Sequence, residues 1–205
     1  MDLKGLIEQT LEYFHISPGE AGLMSILRFI EELDRWNRRM NLVGVKDMER
    51  VCRELLADSF FLHAFVGNLN RLVDLGSGSG ILGIPLAILN ETLQVRSVDS
   101  NLKKIQFQRH IRRSLGLHNV EPIEGRIEAI EPLNADGLVA KAYGTTEAIL
   151  AASDRHLAAG GLVFVLKGKG QGDEAFPGYM LEKSLGYSLP GVSKDYRLLI
   201  YKRIS

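Results

Sequence analysis

The sequence predicts an α/β fold in which a mostly parallel, seven-stranded sheet follows an N-terminal helical extension. Residues 1–66 show the hydrophobic spacing of helices, whereas short apolar runs alternate with amphipathic stretches from residue 71 onward. Such alternation is typical of a parallel sheet with helices on both faces. The chain has 205 residues, which suits one full-sized domain with a modest extension. We therefore predict two units, residues 1–66 and residues 67–205.

Composition and charge limit the class of protein. Hydrophobic residues make up 45% and charged residues 24% of the chain, as in globular proteins. The 25 basic and 25 acidic residues give a formal net charge of zero. A polynucleotide contact would therefore need a local basic patch, because no overall positive field exists to attract it.

The cysteine content and the apolar runs suggest where the protein works. Cys52 is the single cysteine of the sequence, which excludes an intrachain disulfide. No apolar run approaches the ~18 residues of a membrane-spanning helix, and the amphipathic start does not resemble a secretory signal. We expect a cytoplasmic protein without a membrane partner.

Three helices are expected in the extension. The first is predicted from apolar residues at helical spacing, namely Leu3, Leu6, Ile7, Leu11 and Phe14. The second is predicted to start at residues 17–20, which combine a capping box with proline at the first helical position, and to continue to Met40. Asp47 can cap a third helix that runs to about Phe65.

A basic patch accompanies the end of the second helix and the start of the third. Its members are Arg35, Arg38, Arg39, Lys46, Arg50 and Arg53. Within the same range the acidic residues are Asp47 and Glu49. The patch is either the solvated face of two helices or a track for phosphates, and in the second case Arg38 and Arg39 are candidate substrate-binding residues.

The second unit has the strand order of a known class of enzymes. Parallel strands are predicted at residues 71–75, 94–98, 120–123, 137–140 and 162–166, with helical segments between them that include residues 81–89 and 103–115. A glycine-rich loop follows Lys167, and residues 184–189 and 196–202 are spaced like an antiparallel hairpin. Five parallel strands closed by an antiparallel pair are typical of Rossmann-like class I S-adenosylmethionine-dependent methyltransferases, whereas dinucleotide dehydrogenases continue with βα units.

A glycine-rich turn after the first strand is the candidate cofactor site. Gly76, Gly78 and Gly80 occupy alternate positions between the strand and the next helix, where glycine allows positive φ and close approach of a ligand to the backbone. Asp74, inside the strand, suits a cofactor with an ammonium group. Asp99 ends the second strand and can accept hydrogen bonds from both hydroxyls of a ribose.

A dinucleotide is the alternative cofactor. Gly78, Gly80 and Gly83 satisfy the dinucleotide-binding fingerprint, and Asp99 lies about 20 residues further on, at the place of the ribose-binding acid. Counted from the end of the strand, however, the fingerprint should start at Gly76, and its third glycine would then fall on Ile81. A pyrophosphate would also be repelled by an acid in the strand. The residues therefore favour S-adenosylmethionine.

A third contact is expected after the third strand, where the adenine ring would lie. Ile127 can pack on the ring while backbone groups of residues 125–128 read its edge. An ordinary helix cap is the alternative interpretation of this segment.

Several methyl acceptors lack their usual chemical group here. C5 methylation of pyrimidines needs a cysteine nucleophile, and Cys52 lies in a helical segment before the sheet begins. Methylation of the adenine amino group generally uses a Pro-Pro-aromatic loop after strand four, whereas residues 140–144 contain no proline. The five histidines show no metal-ligand spacing, so we expect no metal site.

Motifs along nearly the whole chain, from about residue 20 to residue 202, resemble one family, the small-subunit ribosomal RNA guanine-N7 methyltransferases, also called glucose-inhibited division protein B. The matching positions are Trp36-Asn37, Met40-Asn41-Leu42, Asp58-Ser59, residues 76–85, Asp99-Ser100 with Lys103, Arg126 and Glu128, Lys141-Ala142, Leu166-Lys167-Gly168, and Arg197 with Leu199-Ile200. The similarity includes the helical extension, which ordinary methyltransferases lack.

The resemblance implies both a cofactor site and a substrate. It implies that S-adenosylmethionine is contacted by Gly76, Ile81, Ile127, Glu128 and Lys141. It also implies that the acceptor is N7 of a guanine in 16S ribosomal RNA, as free RNA or within the small ribosomal subunit. The N7 atom carries a lone pair and no proton, so no catalytic acid or base is expected, and alignment supplies most of the rate.

Lysines at two strand ends border the expected cleft. Lys141 and Lys167 either hold a phosphate or the acceptor base, or are solvated strand-end lysines. Other functions stay open at this point: a methyltransferase for a small molecule or a protein, a non-catalytic ribosome-assembly factor that binds S-adenosylmethionine, and a dinucleotide oxidoreductase.

Overall fold

A computed structural model describes residues 2–168 and 175–204. Helices α1 to α7 span Leu3–Tyr13, Gly19–Met40, Met48–Val51, Ala57–Val66, Gly83–Leu89, Leu102–Ser114 and Thr146–Ser153. Strands β1 to β7 span Arg71–Leu75, Gln94–Asp99, Val120–Glu124, Ala135–Lys141, Leu157–Gly168, Tyr179–Ser188 and Asp195–Arg203. Single 3-10 turns lie at Ile127–Ala129 and Asp154–His156. Most of the glycine-rich loop predicted after Lys167 lies outside the described residues.

The seven strands form one sheet in the order β3-β2-β1-β4-β5-β7-β6. Strands β1 to β5 are parallel, and β7 runs antiparallel to both β5 and β6. The predicted fold class is therefore confirmed. The order of the strands reverses between β1 and β4, so a crevice is expected outside the carboxyl ends of these two strands, where ligands bind in open α/β sheets.

Both faces of the sheet are buried. Neighbouring strand residues belong to two hydrophobic clusters, as Leu72 and Val73 of β1 illustrate. The first cluster includes side chains from the extension and from α5 and α6, whereas α7 packs in the second. Because the extension shares its core with one face of the sheet, residues 2–66 are packed against that face.

The helices of the extension differ in detail from the prediction. Pro18 takes the N-cap position of α2 and no side chain caps this helix, so the predicted capping box does not form. The predicted third helix consists of α3, a π-helical turn at Cys52–Leu56, and α4. Helix α7 lies between β4 and β5, where a helical segment was expected without stated bounds, and Thr145 caps it by accepting from the Ala148 N–H at 3.1 Å.

The helices and the clusters of polar side chains bear on membrane and metal binding. Within residues 2–168 and 175–204, no helix combines the length and the apolar character that a membrane span requires. In the same part of the chain, no group of three or more histidine, cysteine or acidic side chains is arranged to hold a metal ion.

Candidate cofactor and acceptor site

The turn after β1 has a backbone that requires glycine. Gly76, Gly78 and Gly80 have φ angles of 67°, 59° and 77°, in the left-handed region that disfavours side chains. A Cβ atom on Gly76 would lie 2.6 Å from Cδ2 of Tyr143, and one on Gly80 would lie 2.5 Å from Cδ1 of Ile84. The turn therefore forms a cradle of bare backbone at the carboxyl end of β1.

Hydrogen bonds fix this glycine cradle to β2 and α6. The Ser77 N–H donates to the Val98 carbonyl at 3.0 Å. The Gln108 side-chain amide donates to Ser77 Oγ and to the Gly78 carbonyl, at 2.8 Å each. Gln108 is fully buried, and the sequence analysis did not identify it. The cradle is thus pre-organised before any ligand is bound.

Asp74 occupies a different environment from the one the sequence suggested. Its side chain is 1% exposed, and Oδ2 accepts from the Gly83 N–H at 3.0 Å at the start of α5. A Cβ atom on Gly83 would lie 2.9 Å from this oxygen, so the glycine permits the helix to approach the strand. Burial raises the pKa of the Asp74 carboxyl to about 7. Asp74 therefore supports the turn from inside, and the expectation that it faces a cofactor ammonium group was wrong.

Asp99 lies at the end of β2, and each of its carboxylate oxygens accepts a hydrogen bond from a backbone N–H. Oδ2 accepts from the Gly78 N–H and Oδ1 from the Asn101 N–H, at 2.8 Å each. The side chain is partly exposed, and a carboxylate oxygen can accept more than one hydrogen bond. Asp99 can therefore hold the cradle and still accept from ribose hydroxyls.

The Ile127 side chain, which was predicted to pack on the adenine ring, is not accessible to a ligand. Ile127 is 1% exposed, and its side chain packs in the core instead of facing a ligand. Ile81, at 8% exposure, is likewise buried, so either residue would reach a cofactor through backbone atoms. Glu128 is exposed beside them.

Tyr143 closes the cradle from the β4 side and was missed by the sequence analysis. Its ring lies against Gly76, and it follows Ala142, whose φ of 55° is unusual for a residue with a side chain. Burial and the nearby carboxylate of Glu128 raise the pKa of the Tyr143 hydroxyl. In the sequence, only its position two residues after the fourth strand indicates that Tyr143 could lie near the site.

Lys141, at the end of β4, is tied to the helical extension. Its ammonium group donates to the Asp58 carboxylate and to the Glu54 carbonyl, the latter at 3.0 Å. The Tyr187 hydroxyl donates to the other oxygen of Asp58 at 2.8 Å. Asp58 is fully buried, and burial raises the pKa of its carboxyl against the opposing effects of Lys141 and Tyr187. These groups join the extension, β4 and β6 at one point.

A cavity of about 250 Å³ opens at the carboxyl ends of β4 and β5. The structure brings Lys141 and Lys167 together in its wall, with Tyr187 and Tyr196 from the antiparallel pair. Among the described residues that line this cavity there is no carboxylate. The wall of the cavity therefore combines two aromatic rings with two lysines, of which Lys141 is paired with Asp58.

The basic patch of the extension is more neutral than the sequence suggested. Four of its arginines pair with acids about one helical turn away: Arg35 with Glu32, Arg38 with Asp34, Arg50 with Glu54 and Arg53 with Glu49. Arg39 has no ion-pair partner within residues 2–168 and 175–204. Exposed pairs of this kind contribute little, about 0–1 kcal/mol, so phosphates can compete for the guanidinium groups.

Comparisons with known proteins agree with this geometry. A family model described as rRNA small subunit methyltransferase G matches residues 23–186. The chain is 31% identical over 195 residues to the ribosomal RNA small subunit methyltransferase G of Legionella pneumophila (strain Corby), covering 94% of this chain and 91% of the relative. It is 34% identical over 204 residues to the protein of the same name from Xanthomonas oryzae pv. oryzae (strain KACC10331 / KXO85), covering 98% and 92%. A SAM-dependent methyltransferase structure from Aquifex aeolicus is similar in fold, with a TM-score of 0.61, 16% identity, and coverage of 80% and 97%.

Proposed function

This chain belongs to the rRNA small subunit methyltransferase G family, and we propose that it transfers a methyl group from S-adenosylmethionine to N7 of a guanine in 16S ribosomal RNA. The observation that carries the proposal is the glycine cradle at the reversal of strand order, beside a cavity that contains two lysines and two tyrosines. The glycine cradle suits the cofactor, and the cavity suits a nucleotide.

The residues of the cradle fit the cofactor. The positive φ angles of Gly76, Gly78 and Gly80 shape a turn of bare backbone, an added Cβ atom on Gly78 would meet no atom nearer than 3.9 Å, and Asp99 offers charged acceptors for ribose hydroxyls. We propose that Glu128 and the backbone of residue 127 complete the site, with Ile81 contributing backbone atoms. Lys141 is proposed to contact the cofactor or the acceptor from the end of β4.

The proposed reaction needs alignment more than proton transfer. When bound, the cofactor supplies a sulfonium methyl group that passes to the N7 lone pair while sulfur keeps the bonding electrons, so that positive charge moves to the purine. Guanine N7 has no proton to lose, and no side chain is assigned as acid or base. The protein's task is therefore to hold the base in line and to exclude water.

RNA recognition is proposed to use two groups of basic residues. Lys141 and Lys167 line the cavity, and their side chains can donate hydrogen bonds to a phosphate near the target base. Arg38 and Arg39 end helix α2 on the surface of the extension, where they can contact the backbone of the RNA. We propose that the partner is 16S ribosomal RNA, free or in the small ribosomal subunit, and that the protein works in the cytoplasm without a metal.

The acceptor class can be tested with the purified chain and tritiated S-adenosylmethionine. Unmethylated 16S ribosomal RNA and small ribosomal subunits serve as acceptors, with 23S ribosomal RNA and bulk transfer RNA as controls. The proposal predicts label in the 16S samples and background in the controls. Label in transfer RNA, or no transfer to any RNA while the cofactor binds, would favour another acceptor or a non-catalytic role.

A further inference from the structure

Three aromatic rings form a column from the helical extension to the cavity. The rings of Phe61 and Tyr187 are stacked with centroids 3.9 Å apart and planes 11° apart. Tyr187 and Tyr196 are also stacked, at 5.5 Å and 26°, and they face each other in the register of β6 and β7. Tyr187 is buried in the middle of the column, and Phe61 and Tyr196 are half-buried at its two ends.

Tyr196 ends this column in the wall of the cavity. The same wall contains Lys141 and Lys167, and its described residues include no carboxylate. A planar ring that entered the cavity would meet an aromatic side chain, while an attached phosphate would meet the Lys167 side chain and that of Lys141, whose ammonium group is shared with Asp58 and the Glu54 carbonyl. These are the two features that recognise an unstacked nucleotide in RNA.

The cavity lies directly beside the cofactor cradle. Ala142 and Gly144 line the cavity, whereas Tyr143, between them in sequence, places its ring against Gly76. One loop, from the end of β4 to the start of α7, therefore forms a wall of both sites. Only this loop would therefore separate a base in the cavity from the residues assigned to the methyl donor.

We propose that Tyr196 is the stacking platform for the acceptor guanine. This inference rests on the proposed function, since it assigns the base-binding surface of that same reaction. The guanine would extend the ring column by one member. N7 methylation leaves a positive charge on the purine, and the face of a tyrosine ring attracts cations.

Tyr196 is expected to affect the rate as well as the binding, because positive charge develops on the purine during transfer. Neutral guanine gains ordinary stacking, whereas the purine of the transition state gains an additional cation–π attraction. An interaction that is stronger in the transition state than in the ground state raises kcat and not only affinity. The methylated base should also bind more tightly than the unmethylated one.

Nucleotide binding tests the inference without relying on turnover. 7-Methylguanosine monophosphate and guanosine monophosphate are titrated against the full chain with S-adenosylhomocysteine bound, with ligand-observed NMR as the readout. The wild-type chain should prefer the methylated nucleotide. Tyr196→Leu should weaken its binding at least tenfold, and Tyr196→Phe, which keeps the ring, should recover most of that loss. Tyr13→Leu makes the same exchange at an exposed tyrosine on α1 and should change nothing.

Methyl transfer to 16S ribosomal RNA provides the second readout. Tyr196→Leu should lower kcat at least tenfold while the Kd for S-adenosylmethionine stays within twofold of wild type. If Tyr196→Leu lowers the melting temperature, Tyr196→Gln gives the same comparison with a polar side chain. If the folded variants without an aromatic ring show unchanged nucleotide binding and kcat, the stacking role of Tyr196 is wrong, while the proposed function is unaffected. Tyr196-dependent nucleotide binding without transfer to 16S ribosomal RNA would overturn the proposed acceptor and leave the stacking role standing.

Discussion

Lys141 and Asp58 form an ion pair between residues 83 positions apart in sequence, and this pair joins the end of β4 to helix α4. The Asp58 side chain is fully buried, whereas that of Lys141 is 23% exposed. The contact links the helical extension to the strand that ends at the cavity. The pair therefore couples the extension to the predicted active site.

Lys141→Met should lower the free energy of unfolding by about 3–5 kcal/mol, because a buried carboxylate would lose its charged partner. Chemical denaturation measures this change. Lys194→Met is the matched control. Lys194 pairs with the side chain of Glu54, whose carbonyl also accepts from Lys141, but the Lys194 side chain is 58% exposed. The control should cost at most about 1 kcal/mol. Equal effects of the two substitutions would show that the buried pair has no special role.

Asp99→Ala should weaken S-adenosylmethionine binding by about 1–3 kcal/mol, because ribose hydroxyls would lose a charged acceptor and the Gly78 N–H its partner. Calorimetry measures the affinity. Asp136→Ala is the matched control, because Asp136 also accepts from two backbone N–H groups, those of Asn70 and Arg71. It lies at the opposite end of the sheet, near the start of β4. Unchanged affinity for Asp99→Ala would remove Asp99 from the cofactor site.

The raised pKa of Asp74 predicts a stability that falls with pH. Because the folded-state pKa of about 7 lies above the unfolded value, the folded state holds this proton more tightly. Its contribution is thus lost as pH rises from about 4 to about 7. Relative to Asp74→Asn, the wild-type chain should lose about 2–3 kcal/mol of stability between pH 5 and pH 8.

Urea denaturation of both proteins at several pH values checks this prediction. The comparison cancels other groups, including His63 and His156, whose pKa values are lowered by burial. A constant difference between the two proteins across this range would mean that Asp74 is already ionised in the folded state at pH 5.

The sheet could be predicted from sequence because its signals are local. Short apolar runs marked the strands, and three glycines at alternate positions marked the cradle, whose positive φ angles the structure shows. The bounds of helix α7 were not predicted, because its eight residues include three alanines and show little contrast between an apolar and a polar face. The π-helical turn at Cys52–Leu56 was missed for a similar reason, since its composition resembles that of an ordinary helix.

The parts of the site that escaped prediction depend on contacts between distant residues. Nothing near Tyr143 in sequence shows that its ring lies against Gly76. The pairing of Arg38 with Asp34 was not predicted because Asp34 precedes the basic patch in sequence, one helical turn before Arg38. Asp74 was assigned to the ligand because its position in the strand does not show which side of the turn its carboxylate faces. Local spacing predicts the elements, and tertiary packing decides what they face.

Replacing Arg38 and Arg39 together with glutamine should weaken RNA binding and leave the affinity for S-adenosylmethionine unchanged. Each lost phosphate contact should reduce the slope of log affinity against log salt by about 0.7–0.9. Arg112 and Arg113 form the matched control, because they are also tandem arginines in the last turn of a helix, α6. Filter binding at several salt concentrations gives both quantities. Identical slopes for the two double variants would assign Arg38 and Arg39 to a solvated helix face.

The identity of the methylated atom is the most direct test of the proposed function. The chain is incubated with unmethylated 16S ribosomal RNA and S-adenosylmethionine carrying a deuterated methyl group, and the RNA is digested to nucleosides for mass spectrometry. Gly76→Val serves as the inactive control, because its Cβ atom would lie 2.6 Å from Tyr143 at a positive φ. We predict deuterated 7-methylguanosine with the wild-type chain and none with the control. Deuterium in any other nucleoside, or in none, would contradict guanine-N7 methylation.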